Sequence, residues 1–195
     1  MYASKLMVAL FAAAGLCAAG SVSAQTMGSK DARDMSIKNA DALYKSDKAA
    51  CDALNGNAKD ICVEEAKGKE KVAKADADAA YQNTPKAREA ARTARADAAY
   101  EVAKEKCDDL AGNPKDVCIK EAKAAQVRAV ADAKVDRVAA EEQRTGASKT
   151  AAVKQEAAED KRDADFKVAA EKCDTLSGAA KDTCVRNARA RYGKT

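Results

Sequence analysis

Six of the seven cysteines stand in three pairs of identical spacing, and paired sulfurs support three kinds of chemistry. The stretches CDALNGNAKDIC, CDDLAGNPKDVC and CDTLSGAAKDTC contain the pairs Cys51 and Cys62, Cys107 and Cys118, and Cys173 and Cys184. Two sulfurs at a fixed spacing bind a metal ion, exchange electrons with another thiol pair, or form a structural disulfide. The residues around the pairs decide among these roles.

Metal binding and redox catalysis both lack their usual supporting residues. A structural zinc site takes four ligands, commonly from short C-x2-C or H-x3-H motifs, whereas each stretch supplies two cysteines and the chain has no histidine. A thioredoxin-type site uses C-x-x-C on a strand-containing frame, and no strand pattern is present. We therefore predict no cofactor, and a thiol-based redox or metal-capture protein stands as the alternative hypothesis.

The motif around each pair predicts a helix, a tight turn and a second helix. It reads [YF]-x6-C-D-x-L-x-G-x-x-K-D-x-C-[VI]-x-x-A-[KR] and occupies residues 44–67, 100–123 and 166–189, which makes it an internal repeat. The aromatic residue, the first cysteine and the leucine have helical spacing, so we expect them to pack on one face. We expect the glycine to end the first helix and Asn57 and Asn113 to cap the second.

A disulfide within each motif suits such a helical hairpin. The first cysteine lies in the last turn of one helix and the second lies a turn beyond the start of the next, which brings their Cα atoms within disulfide range. The chain-entropy model assigns about 3 kcal/mol to a loop of this length. We predict the bonds Cys51–Cys62, Cys107–Cys118 and Cys173–Cys184.

The N-terminus predicts an exported protein. Residues 1–24 combine an early lysine, an apolar run and small residues before Gln25, which is typical of a cleaved secretory signal peptide. Cleavage removes Cys17 and leaves six paired cysteines, as expected for a chain with disulfides in the periplasm or outside the cell. The alternative is that residues 1–24 stay as an anchor, and this would be the chain's only contact with a membrane.

Composition and helix breakers predict the fold class. Hydrophobic residues make up 47% of the chain, largely as alanine, charged residues make up 34%, and only two prolines are present. Alanine's helix propensity favours long helices over the competing interpretation, a disordered chain. Breaks at Thr84-Pro85, with Thr84 as the expected cap, and at Gly146-Ser148, with Ser148 as the expected cap, alternate with the cysteine turns. A zigzag chain would therefore place all three cysteine turns at one end.

We therefore predict an all-α fold, an elongated antiparallel array of three disulfide-stapled helical hairpins. The helical repeat region should span residues 37–195, after a disordered segment at 25–36. Stripes of small residues, such as Ala87, Ala91 and Ala94, suit close packing of the coiled-coil kind. Whether the helices form a compact bundle or an extended array is left open by the spacing.

Few residues are candidates for chemistry other than the cysteines. Without histidine or a serine-centred nucleophile motif, we predict no catalytic residue and no enzyme. Lys59, Lys115 and Lys181 recur beside the second cysteines as candidate contacts for an anion or a partner, although the aspartate next to each favours plain solvated turn residues. The charges are nearly balanced, which argues against nucleic-acid binding.

The segment from Ala66 to Ala170 resembles the Ala/Lys/Asp/Glu-rich helical stalk of the TolA-like cell-envelope proteins. No segment matches the membrane anchor or the C-terminal domain of that family, and cysteine turns are foreign to its stalk. The resemblance implies a spacer or interaction role in a Gram-negative periplasm. The function expected is that of a non-enzymatic structural or interaction module of the cell envelope, with an envelope protein or an anionic envelope polymer as partner.

Overall fold

The computed structural model describes residues 28–194, and six α-helices make up almost all of this part. The helices are α1 (Lys30–Ala50), α2 (Gly56–Gln82), α3 (Pro85–Cys107), α4 (Asn113–Thr145), α5 (Thr150–Lys172) and α6 (Gly178–Tyr192). Short 3-10 turns follow α1 and α5. The predicted all-α fold is confirmed, whereas the predicted signal peptide lies outside the described residues.

The helices pack in the order of the chain. Within residues 28–194, every extensive helix–helix contact joins two consecutive helices. Ion pairs show the antiparallel direction: Lys106 contacts Glu65 near one end of the α2–α3 pair, and Arg95 contacts Asp76 further towards the other. The molecule is thus an extended array with its three cysteine turns at one end, here named the stapled end.

The buried residues are small and apolar. In the described part they are alanines and the first cysteine of each pair, with Val138 and Pro85 as the exceptions, and none is polar or charged. Alanine interfaces let helices approach closely; a Cβ atom added to Gly68 on α2 would lie 3.1 Å from the Cβ of Ala98 on α3. The core is therefore a set of thin seams, as the small-residue stripes predict.

Each thin seam is bordered by ion pairs between neighbouring helices. Lys74 joins Asp41 across α1 and α2, and Arg137 joins Glu89 across α3 and α4. Exposed pairs of this kind contribute little stability individually, on the order of 0–1 kcal/mol. Their repeated presence instead favours one register of each helix against the next.

The cysteine-free turns are built partly as predicted. Thr84 caps α3, because its hydroxyl accepts a hydrogen bond from the N–H of Ala87, and Pro85 begins that helix. Gly146 ends α4 in a left-handed conformation at φ +71°. The predicted cap by Ser148 is wrong: α5 starts two residues later, and the carboxylate of Glu142 accepts from the backbone there instead.

The first helix begins earlier than predicted. We expected disorder over residues 25–36, but α1 starts at Lys30, while residues 25–27 lie outside the described range. The hydroxyl of Ser29 accepts from the N–H of Ala32, which supplies the N-cap, and Arg33 pairs with Asp78 on α2. A local cap and one tertiary ion pair thus order a segment that is too polar to suggest packing by itself.

No helix among residues 28–194 combines the length and the apolar character that a membrane-spanning segment requires.

Candidate functional site

The three cysteine pairs form the predicted disulfides. The Cα atoms of Cys51 and Cys62 are 5.6 Å apart, and those of the other two pairs are 5.7 Å apart. The first cysteine of each pair is fully buried between the two helices, whereas the second is partly exposed. Such bonds are typical of proteins in an oxidising environment.

The chain passes through each turn differently from our prediction. The first helix ends at the first cysteine, and Leu54 and Asn55 then cross to the second helix with extended backbones. Gly56, at φ +56°, is the first residue of α2 and not the end of α1. Ending the first helix early lets Cys51 face Cys62, which lies nearly two turns inside the second helix.

The leucine of each motif consequently lies at the surface. We expected it to pack on the stripe of the aromatic residue and the cysteine, but the leucines come after the helix has ended. Leu54, Leu110 and Leu176 are 40%, 44% and 42% exposed. The structure therefore presents one apolar side chain at the same place on every stapled turn.

The three candidate lysines lie at the stapled end, each in an ion pair. Lys59 contacts Asp52 at 2.8 Å, and the other two pairs are Lys115–Asp108 and Lys181–Asp174, both at 3.0 Å. The ammonium of Lys59 donates to Asp52 and holds the pKa of that carboxyl below its ordinary value. The partner is the aspartate after the first cysteine, not the one next to the lysine in sequence.

Within the three turn segments, acidic residues outnumber basic ones. The three turn segments, residues 51–62, 107–118 and 173–184, contain three lysines and seven aspartates. The aspartate that follows the lysine in each motif, for instance Asp116, makes no ion pair within the described part of the chain. The contact of these lysines with an anion or a partner stays a prediction.

Asparagine side chains join consecutive motifs, a role that our sequence reasoning missed. The Nδ2 group of Asn57 donates to the backbone carbonyl of Glu105 at 3.0 Å, and Asn113 makes the same bond to Glu171. These residues are therefore not the helix caps that we predicted. The third motif has Ala179 where the first two have asparagine, and no further motif follows it in this sequence. This difference is the sequence signal that the asparagines contact the next motif.

The stapled end is thus a row of three equivalent turns. Each cysteine turn is displaced from the next by two helix positions in the array. Because packed helices lie about 8–10 Å apart, neighbouring turns are roughly 16–20 Å apart. The disulfides and the asparagine bonds hold each turn both internally and against its neighbour. The row can present three leucines with fixed spacing to another molecule.

The body of the array offers grooves between its helices. One groove of about 640 Å³ lies over α4 between α3 and α5 and is lined by Val127 and Val130. Charged groups on its rim pair with opposite charges, as Lys134 does with Glu156. Across residues 28–194, no group of three His, Cys, Asp or Glu side chains is placed to hold a metal ion.

Comparisons of the chain with protein-family models, with curated proteins and with solved structures found no match.

Proposed function

We propose that the protein is a non-enzymatic, exported structural or interaction module of the bacterial cell envelope, and that it binds a partner protein through the stapled end. The observation that carries the proposal is the row of leucines at 40–44% exposure on three disulfide-bonded turns. A single exposed leucine needs no explanation. Three at equivalent positions on rigid turns match what a repeating interaction surface requires.

Rigidity supports a binding role for these turns. A surface that is ordered before binding loses less conformational entropy when the complex forms. Leu110 lies between Cys107 and Cys118, so the disulfide already restrains the backbone that carries it. Three linked contacts on one rigid array also act together, which strengthens binding beyond that of a single turn.

Charge favours a protein partner over an anionic envelope polymer. The turn segments have seven aspartates for three lysines, and the lysines are already paired. Lipopolysaccharide or an anionic glycan would meet repulsion here. The surface fits a protein with apolar pockets bordered by basic residues, and a spacer role of the TolA-like kind agrees with the elongated array.

The compartment is inferred from the disulfides and the N-terminal sequence together. Bonds of this kind are rare in the cytosol, and residues 1–24 have the composition of an export signal. We place the protein in the periplasm or outside the cell.

Photo-crosslinking in intact cells tests the proposed surface. A photoreactive residue replaces Leu54, Leu110 or Leu176, and matched control variants carry it at Asn83 or Ser148 in the cysteine-free turns. We expect the same crosslinked protein from all three leucine positions and from neither control. Equal crosslinking at both ends of the array, or crosslinking at the control turns alone, would refute binding through the stapled end.

A second experiment separates the partner classes. The purified protein is bound to the crosslinked partner, and Leu110→Asp is compared with the wild type at low and high salt. We expect Leu110→Asp to weaken binding at least about tenfold, because a buried leucine contributes about 1.5–3 kcal/mol. Binding to lipopolysaccharide or peptidoglycan that Leu110→Asp leaves intact, and that salt abolishes, would favour the anionic polymer instead.

One observation supports the alternative hypothesis of a thiol-based redox or metal-capture protein. The second sulfur of each bond, for instance that of Cys62, is partly exposed and so is accessible to an exchanging thiol. The first sulfur is buried, and its partner lies well inside a helix rather than at the helix N-terminus that lowers a thiol pKa. The geometry therefore fits a staple better than a reactive pair.

A further inference from the structure

The outer side of α1 differs from the other exposed helix surfaces. In the described part, α2 to α5 each pack on two helices, whereas α1 packs on α2 alone. Outside the positions that are buried or half-buried against α2, α1 carries eight exposed, uncharged residues at helical spacing, here named the α1 outer stripe. The stripe consists of Ala32, Met35, Ser36, Asn39, Ala42, Leu43, Ser46 and Ala50.

Two members of the stripe are large and apolar. Met35 and Leu43 are each 64% exposed, more than any other large hydrophobic residue in the described part of the chain. Ala32, Ala42 and Ala50 beside them are of the residue type that fills the seams of the array, whereas the remaining members of the stripe are small and polar. The face therefore combines two large apolar side chains with small residues, and no helix within residues 28–194 lies on it.

We propose that the α1 outer stripe is a dimer interface that binds the same stripe of a second copy in antiparallel orientation. Apart from Ala50, the stripe is symmetric in position about Asn39, with Met35 four residues before it and Leu43 four residues after it. A two-fold axis at Asn39 thus places Met35 opposite Leu43 of the second copy, twice. The two Asn39 amides meet on the axis and can hydrogen-bond to each other.

Charges beside the stripe agree with this arrangement. Asp31 and Lys45 lie on the same flank of α1, Asp31 eight positions before Asn39 and Lys45 six positions after it. The two-fold axis brings Asp31 of one copy near Lys45 of the second, and the reverse pair forms at the other end. The two Lys38 side chains meet near the axis and repel each other, but these two attractions outweigh that single repulsion.

The other free edge of the array fits α1 less well. A head-to-tail contact would place α6 against α1 of the next copy and continue the array as an open filament. The outer side of α6 carries Arg186, and the uncharged α1 outer stripe has no carboxylate to pair with it, as Glu171 pairs with the equivalent Lys120. Ala179 also cannot donate the bond that Asn57 and Asn113 give to the next motif. The antiparallel α1 pair closes on itself and needs no such bond.

The dimer has a consequence that rests on the proposed function. Because α1 runs towards the stapled end, antiparallel pairing points the two stapled ends in opposite directions. A dimer would then hold two partner molecules apart, as a linker between them. A single helix pair buries less than the roughly 1,200–2,000 Å² of a standard interface, so the affinity should be modest, in the micromolar range.

Sedimentation velocity tests the interface on the protein purified from bacterial envelopes with its disulfides intact. From about 1 to 100 µM, we expect the wild type to pass from monomer to dimer and Met35→Glu/Leu43→Glu to remain a monomer, with at least a tenfold weaker association. Leu110→Glu is the matched control: it changes an equally apolar residue at the stapled end and should dimerise like the wild type. Circular dichroism confirms that the variants remain helical.

A cysteine on the axis tests the geometry. Asn39→Cys should form a disulfide-linked dimer under mild oxidation, whereas Ala190→Cys on α6 should not. A wild type that stays monomeric over the whole range, or a dimer that persists in Met35→Glu/Leu43→Glu, would overturn the proposal. Crosslinking through Ala190→Cys but not Asn39→Cys would overturn it in favour of the filament. Partner binding at the stapled end is measured separately, so either inference can fail alone.

Discussion

Removal of the central disulfide is expected to cost the array a large part of its stability. In the variant Cys107→Ala/Cys118→Ala, the covalent loop whose ends are 11 positions apart is opened, which the chain-entropy model values at about 3 kcal/mol. The fully buried side chain of Cys107 also loses apolar contacts, on the order of 1 kcal/mol. The expected loss in the free energy of unfolding is thus about 3–4 kcal/mol, against a usual total of about 5–15 kcal/mol.

The position of the bond decides how the loss appears. Because each helix packs only on its neighbours along the chain, stability in the described array is a sum of local contributions. Opening the α3–α4 turn weakens the junction between two halves, so unfolding should become broader or separate into two steps. The matched control, Cys51→Ala/Cys62→Ala, should loosen α1 at the edge and leave the rest cooperative.

Urea unfolding followed by far-ultraviolet circular dichroism measures both effects. Wild type in a thiol reductant should lose more stability than either double variant, because three bonds open together. If the central variant unfolds within about 1 kcal/mol of the wild type, with equal cooperativity, the disulfides are not what stabilises the hairpins, and this reasoning fails.

Three further predictions address single contacts. Asn113→Ala should destabilise the protein by about 1 kcal/mol in urea unfolding, since it removes one part-buried hydrogen bond between motifs; no change would show that the bond is dispensable. The pKa of Glu142 is lowered chiefly by the hydroxyl of Thr150, so the α4–α5 turn should be fully held at neutral pH and loosen as pH falls below about 4. Hydrogen exchange at the N–H of Thr150 measures this loosening, and Glu142→Gln should exchange fast already at pH 7. Gly68→Val should lower the thermal midpoint by several degrees, because its two further methyl groups add to a Cβ that already lies 3.1 Å from the Cβ of Ala98. Gly68→Ala should change the midpoint little, because the higher helix propensity of alanine offsets that one close contact; equal midpoints would mean that the α2–α3 seam is looser than described.

The sequence predicted the architecture well because its signals are local and repeated. Equal spacing of the breaks at Thr84-Pro85 and Gly146 from the cysteine turns leads directly to a zigzag, and the pairing of Cys51 with Cys62 needs only the two ends of one hairpin. Alanine stripes indicate where helices touch. None of these inferences requires knowledge of a distant part of the chain.

The details of the candidate site depend on the bond that the turn must accommodate. Local residue preferences allow the first helix to end either at Gly56 or at Cys51. The disulfide to Cys62 favours the earlier end. Leu54 is exposed as a result. The role of Asn57 was missed for a different reason, since its acceptor belongs to the next motif, 48 positions away.

The most direct test of the account is the state of the six cysteines in the protein as the cell makes it. Protein isolated from bacterial envelopes without reductant, with thiols blocked on lysis, is analysed by intact mass and by peptide mapping under non-reducing conditions. We predict no free thiol in the mature chain and only the bonds Cys51–Cys62, Cys107–Cys118 and Cys173–Cys184. Free thiols, a bound metal ion or bonds between different motifs would contradict the stapled array and favour the thiol-based function.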